Sequence, residues 1–159
     1  MLRVDSGMPN RRQFLLATAA GAVAPLAFGQ KLLAMRAAPV VTVYKDPSCG
    51  CCVKWIEHLS ANGFVTMVHD SNDMDSIKKN MRVPADLQSC HTAVVDRYVI
   101  EGHVPAADIK QLLKTKENLQ GLAAPGMPMG SPGMEGGKAD KYDVIAFSTD
   151  GKTRVFAKH

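Results

Sequence analysis

Three of the four cysteines in this 159-residue chain fall within four consecutive positions, Cys49-Gly50-Cys51-Cys52. The run superposes a C-x-x-C pair, Cys49 and Cys52, on a C-x-C pair, Cys49 and Cys51. Thiolate sulfur is the nucleophile of thiol–disulfide exchange and also a soft ligand for Cu(I) or Zn(II). A redox loop needs two cysteines; a third with no bulky residue between fits a metal site better. The fourth cysteine lies in Ser89-Cys90-His91-Thr92, beside an imidazole, which is a second metal-binding type. Two ordinary disulfides are the alternative, since four cysteines allow three pairings. That alternative is poor in stability. A bridge between adjacent Cys51 and Cys52 would be strained, and three clustered cysteines close no long loop.

The remaining donors divide by context. His91 adjoins Cys90 and reads either as a ligand or as a hydrogen-bond partner of one. His103, after Glu101-Gly102, is a further candidate. His58 reads as solvated, His69 as a loop residue at a strand end, and His159 as a free terminus. Met67, Met74 and Met81 read as core filler. Met127, Met129 and Met134 lie in a Pro/Gly-rich stretch with no core to fill. Thioethers select Cu(I) over Zn(II), so this loop points to copper; covering an apolar patch is the bland reading.

Short regular elements must carry these residues. Residues 40–44 form a β-branched run that ends at Asp46-Pro47, a strand. Cys52, Trp55, Ile56 and Leu59 stand at i, i+3, i+4 and i+7, an amphipathic helix stopping near Asn62-Gly63. The cluster therefore sits at a helix N-terminus, where the dipole and free N–H groups favour thiolate. Residues 64–69 read as a second strand. Asn72 or Asp73 caps a helix whose buried stripe is Met74, Ile77 and Met81, ending before Pro84. Residues 92–95 and 98–100 read as adjacent strands, and Pro105 opens a helix carrying Ile109, Leu112 and Leu113.

The order β-α-β-α-β-β-α predicts an α/β, thioredoxin-like core over residues 39–118. In that fold the segment facing the reactive loop usually carries a proline that keeps ligands away. Here the position is held by Cys90 and His91. Residues 121–137 are expected to form no regular element. Residues 142–148 and 153–157 form a hairpin about Asp150-Gly151. Whether that hairpin joins the main sheet is open; residues 119–159 are read as completing the same domain.

Apolar residues at 46% and charged residues at 21% exclude wholesale disorder. The net charge of +4 comes from the front of the chain, where Arg3, Arg11, Arg12, Lys31 and Arg36 face only Asp5. A neutral body argues against nucleic acid or an acidic membrane surface as partner. Arg11-Arg12 precedes an uncharged run over residues 14–28, shorter than the roughly 20 residues of a membrane span. This is the twin-arginine export pattern, so residues 1–38 are read as signal peptide and linker. Ala27-Phe28-Gly29 and residues 34–38 both offer small residues for cleavage. The mature protein is then periplasmic, with no stable membrane span once processed; an uncleaved anchor is the alternative.

Several stretches together resemble one known family. They are residues 44–52, Trp55 with His58-Leu59, residues 89–92, Glu101-Gly102-His103-Val104-Pro105, and residues 126–135. The chain resembles the CopG-type family of bacterial periplasmic copper-resistance proteins over nearly all of residues 40–159. The resemblance implies a thioredoxin-like fold that binds Cu(I) through clustered cysteines, singly or as a multinuclear copper–thiolate cluster. Carried over, the ligands would be Cys49, Cys51, Cys52 and Cys90, with His91, His103, Met127, Met129 and Met134 as secondary candidates. Copper ions, and other periplasmic copper-handling proteins, are the implied partners. The competing class is an enzyme, a thiol–disulfide oxidoreductase using Cys49 and Cys52 with Cys51 and Cys90 resolving or regulatory. A structural zinc module is the third.

Overall fold

The computed structural model describes residues 37–159, so residues 1–36 of the expected leader, Arg11 and Arg12 included, lie outside the described residues. Strand β1 (Val40–Lys45) leads into helix α1 (Gly50–Ala61), strand β2 (Val65–Asp70) and helix α2 (Met74–Asn80). A short 3₁₀ turn, Ala85–Leu87, precedes strands β3 (His91–Val95) and β4 (Tyr98–Gly102). Helix α3 (Ala106–Thr115) and strands β5 (Gly121–Ala124), β6 (Asp143–Phe147) and β7 (Thr153–Lys158) complete the order. The seven strands form one mixed sheet, β2-β1-β3-β4-β5-β6-β7. The β1–β2 and β4–β5 pairs are parallel and the others antiparallel.

Alternation along the strands assigns each residue to a face. Val41 and Val43, Ala93 and Val95, Tyr98 and Ile100, Leu122 and Ala124, and Val144 and Ala146 line one face. Trp55 and Leu59 of α1 and Ile109 and Leu112 of α3 bury against that face, as the helical spacing predicts. Val99, Ala123 and Phe147 point to the other side, where they pack with Val83 and Leu87. His91 thus belongs to the α1 face, whereas Thr92 and Glu101 point to the α2 face.

The structure corrects the sequence reading in several places. Residues 121–124, expected to be irregular, form the fully buried strand β5. Its Gly-Leu-Ala-Ala sequence lacks the usual β-branched signal, yet its first position requires glycine. A Cβ at Gly121 would lie 2.0 Å from the Val99 carbonyl oxygen. Through β5 the C-terminal hairpin joins the main sheet. In α2 the buried side chain is Lys78, while Met74, Ile77 and Met81 are only half-buried. The helix is capped by Asp73, whose carboxylate accepts from Ser76 N at 3.1 Å. Met67 is not core filler: it is 52% exposed, because β2 is an edge strand. Among the described residues no helix is long and apolar enough to cross a membrane.

Candidate metal centre

The turn after β1 is built by Asp46, whose Oδ1 accepts from Ser48 N at 2.8 Å and Ser48 Oγ at 2.5 Å. Its carbonyl accepts from Cys49 N at 3.0 Å. Cys49 then occupies the N-cap of α1, and Cys51 and Cys52 lie in the first turn, which holds no acidic residue. That turn therefore sets no carboxylate of its own beside the sulfurs.

Cys90 reaches the cluster from the start of β3. Its sulfur lies 3.5 Å from Cys52 Sγ and 3.9 Å from Cys51 Sγ. Cys51 Sγ is in turn 3.5 Å from Cys49 Sγ. All four sulfurs lie within 4.8 Å of one another. Two thiolates about 2.3 Å from one tetrahedral ion stand roughly 3.8 Å apart, so these separations suit shared ligation. Cys49 and Cys52 are joined as a disulfide here, while Cys51 and Cys90 are free. The expectation of four thiolates thus applies to the reduced protein; of the two disulfides weighed as an alternative, one is present.

A second group shares Cys90 as its vertex. His103 Nε2 is 3.0 Å and His91 Nδ1 3.3 Å from Cys90 Sγ, and the three donor atoms lie within 4.8 Å of one another. His103 Nδ1 meets the Pro132 carbonyl at 2.7 Å, so Nδ1 carries the proton and Nε2 offers its lone pair to Cys90. His91 is fully buried, tilted against the Trp55 ring at 4.3 Å, and its Nε2 has no hydrogen-bond partner among the described residues. Trp55 is itself fixed by Nε1 donating to the Val104 carbonyl at 2.9 Å. Burial holds both imidazoles below their ordinary pKa, with the neighbouring His103 and Lys78 adding to the effect at His91. Neutral imidazole is the ligating form. Burial, then the neighbouring Cys51, pushes the Cys90 thiol up to about 12. A bound cation would reverse that preference, since a coordinating thiol is deprotonated.

The structure brings together Cys49, Cys51, Cys52, Cys90, His91 and His103. The methionine loop crosses the same region, and the recorded contacts are through its backbone. Pro132 holds His103, and Gly133 packs where a Cβ would lie 2.8 Å from Cys51 O. Met127 is 53% exposed, Met129 places its methyl against Gly137, and Met134 is half-buried. Among the other histidines, His69 is exposed and stacks on Tyr44. His58 is not simply solvated: it is half-buried and its Nε2 accepts from Ala106 N at 3.1 Å. His159 is not a free end, since its Nε2 meets Asp108 Oδ2 at 2.8 Å. Sequence reasoning missed the Pro132 carbonyl, because nothing in the sequence separates Pro132 from the loop's other prolines.

A mixed α/β protein with a clustered-cysteine, metal-binding site is the class that this fold and geometry define. Residues 87–134 match a family described as a protein of unknown function, DUF411. Two solved structures of a copper resistance protein, CopG, are similar over most of the chain at 46% identity. Form 2 has a TM-score of 0.74, covering 77% of this chain and 98% of that one. Form 1 has a TM-score of 0.72, with 76% and 96% covered. No curated protein matches. The chain belongs to the CopG copper-resistance family.

Proposed function

We propose that this protein holds Cu(I) through the thiolates of Cys49, Cys51, Cys52 and Cys90 and so contributes to copper resistance. The observation that carries the reading is the convergence of four sulfurs within 4.8 Å from two separate walls of the fold. Soft sulfur donors suit Cu(I), and sulfurs on both sides of the ion suit a bridged, multinuclear cluster. His103 Nε2 and the buried His91 Nδ1, 3.0 and 3.3 Å from Cys90 Sγ, are the nitrogen donors closest to hand. Met127, Met129 and Met134 are kept as outer thioether donors. The metal-holding form is the reduced one, because the Cys49–Cys52 bond removes two sulfurs from the donor set.

This reading includes a thioredoxin-like core over residues 39–118, completed by residues 119–159 in the same domain. Support comes from parallel β1 and β2 joined through α1, followed by antiparallel β3 and β4 and then α3. It also includes export to the periplasm by the twin-arginine leader in residues 1–38, where other copper-handling proteins would be the partners. Anaerobic Cu(I) titration of the reduced protein against a competing chelator, with metal analysis, tests it. Tight binding of one or more Cu(I) per chain is expected; failure to compete with a moderate chelator overturns the reading.

The disulfide favours a second reading, a thiol–disulfide oxidoreductase built on Cys49 and Cys52. Insulin-reduction activity that survives Cys51→Ser and Cys90→Ser would support this second role.

A further inference from the structure

Directly behind the thiol cluster, on the opposite face of the sheet, lies a buried ion pair that metal ligation does not use. Lys78 of α2 is 4% exposed and Glu101 of β4 is fully buried, with Nζ 2.5 Å from Oε1. Glu101 also accepts from Ser89 N at 2.7 Å through Oε1 and from Thr92 Oγ1 at 2.6 Å through Oε2. Lys78 Nζ completes the ring by donating to Thr92 Oγ1 at 3.0 Å. Ser89 and Thr92 are the residues immediately flanking Cys90-His91. One carboxylate therefore grips the Cys90-His91 pair on both sides, from the face away from the cluster.

The surroundings are shaped for this grip. Gly102, next to Glu101, has φ +69, and a Cβ there would lie 2.5 Å from Ser89 Cβ, so only glycine admits Ser89 this close to β4. Ser89 Oγ donates onward to the Gly126 carbonyl at the start of the methionine loop. Two residues after Glu101, just past the end of β4, His103 presents Nε2 to Cys90. A buried ion pair is weak as a source of stability, because well-packed apolar residues of similar volume often replace one without loss. Its partners here are specific: the backbone that enters β3 and the hydroxyl that follows His91.

We infer that Glu101, with Lys78 as its counter-ion, is a positioning residue that sets the distance from Cys90 Sγ to the sulfurs of α1. Its relevance to copper rests on the copper reading above, whereas the positioning itself can be measured without metal. In a Cys49→Ser, Cys51→Ser background, the remaining Cys52 and Cys90 form one disulfide. The equilibrium of that bond with oxidised and reduced glutathione gives the effective concentration of one thiol at the other. Lys78→Met with Glu101→Leu removes both charges and the grip on Ser89 and Thr92. This pair should lower the effective concentration tenfold or more at a temperature well below unfolding. Lys78→Met with Glu101→Gln, which keeps an acceptor for Ser89 N, should restore most of it.

A role in stability alone would lower the melting temperature and leave the effective concentration unchanged, and that result overturns the inference. If the Met/Leu pair does not fold, Thr92→Val, which removes one side of the grip, should lower the effective concentration at least twofold. No change in a folded Thr92→Val protein also overturns it. Cu(I) titration of the same substitutions in the four-cysteine protein separates the two proposals. A glutathione shift with no Cu(I) binding even in the unsubstituted protein would refute the copper reading and keep the positioning role.

Discussion

Cys90 Sγ stands 3.5 Å from Cys52 Sγ across 38 residues of sequence, joining the entry of β3 to the first turn of α1. Cys90 also contacts both imidazoles, so it belongs to the thiol cluster and to the thiol–imidazole group alike. Cys49, Cys51 and Cys52 all come from a single loop and helix end. Ligation that bridges between walls depends on Cys90.

Cys90→Ser should accordingly weaken Cu(I) binding tenfold or more, about 1.4 kcal/mol, or reduce the copper bound per chain. The substitution keeps side-chain size, so the loss of stability should be on the order of 1 kcal/mol or less. Chelator competition and thermal unfolding of the metal-free protein check the two halves. Unchanged copper binding would confine the site to the loop of α1.

Acid should destabilise the reduced, metal-free protein. Burial lowers the pKa of His58, His91 and His103 from the ordinary 6.5. The unfolded chain therefore takes up protons first, so the stability these neutral rings contribute is present above about pH 6.5 and lost as pH falls toward their folded values. Glu101 runs the other way, because burial raises its pKa and acid relieves that cost. Three histidines act against this one carboxylate, so melting temperatures measured from about pH 7.5 to about pH 5.5 should fall. A flat or rising profile would contradict this.

Gly121→Ala should cost about 2–4 kcal/mol. The new methyl would meet the Val99 carbonyl, which is backbone and cannot rotate away. The strand it disturbs is the one that links β4 to β6. Gly50→Ala, with nothing within 4 Å of its Cβ position, is the control and should be close to neutral. Urea unfolding of the two variants makes the comparison.

Lys78→Met alone should be worse than the same change paired with Glu101→Leu. The single variant leaves the fully buried Glu101 carboxylate without its counter-ion, a loss of about 3–5 kcal/mol. The double variant removes both charges and should recover most of that loss. Equal stability of the single and double variants would show that the pair carries no such coupling.

Replacing Arg11 and Arg12 by lysine should leave the precursor in the cytoplasm. Cell fractionation checks this. Normal periplasmic accumulation would point to the general secretory route and would leave the copper reading standing, since that rests on other residues.

Much of this molecule was legible locally. The spacing of Cys52, Trp55 and Leu59 set the buried side of α1. The β-branched runs gave β1 and β3, and Asn72-Asp73 marked the start of α2, where Asp73 proves to be the cap. The residue types of the cysteine cluster also declared soft-metal or thiol chemistry, because that chemistry belongs to the side chains themselves. Tertiary structure decided the rest. Strand β5 has no local signal: its first position takes glycine because a Cβ there would meet the Val99 carbonyl of the neighbouring strand. Nothing local marks Lys78 for burial; its partners, Glu101 and Thr92, come from other elements of the fold. The disulfide between Cys49 and Cys52, the approach of His103 to Cys90, and the hold of Pro132 on His103 all depend on side-chain placement in three dimensions. Periodicity tells which face a residue takes, but which side chains meet across that face depends on strand order and register.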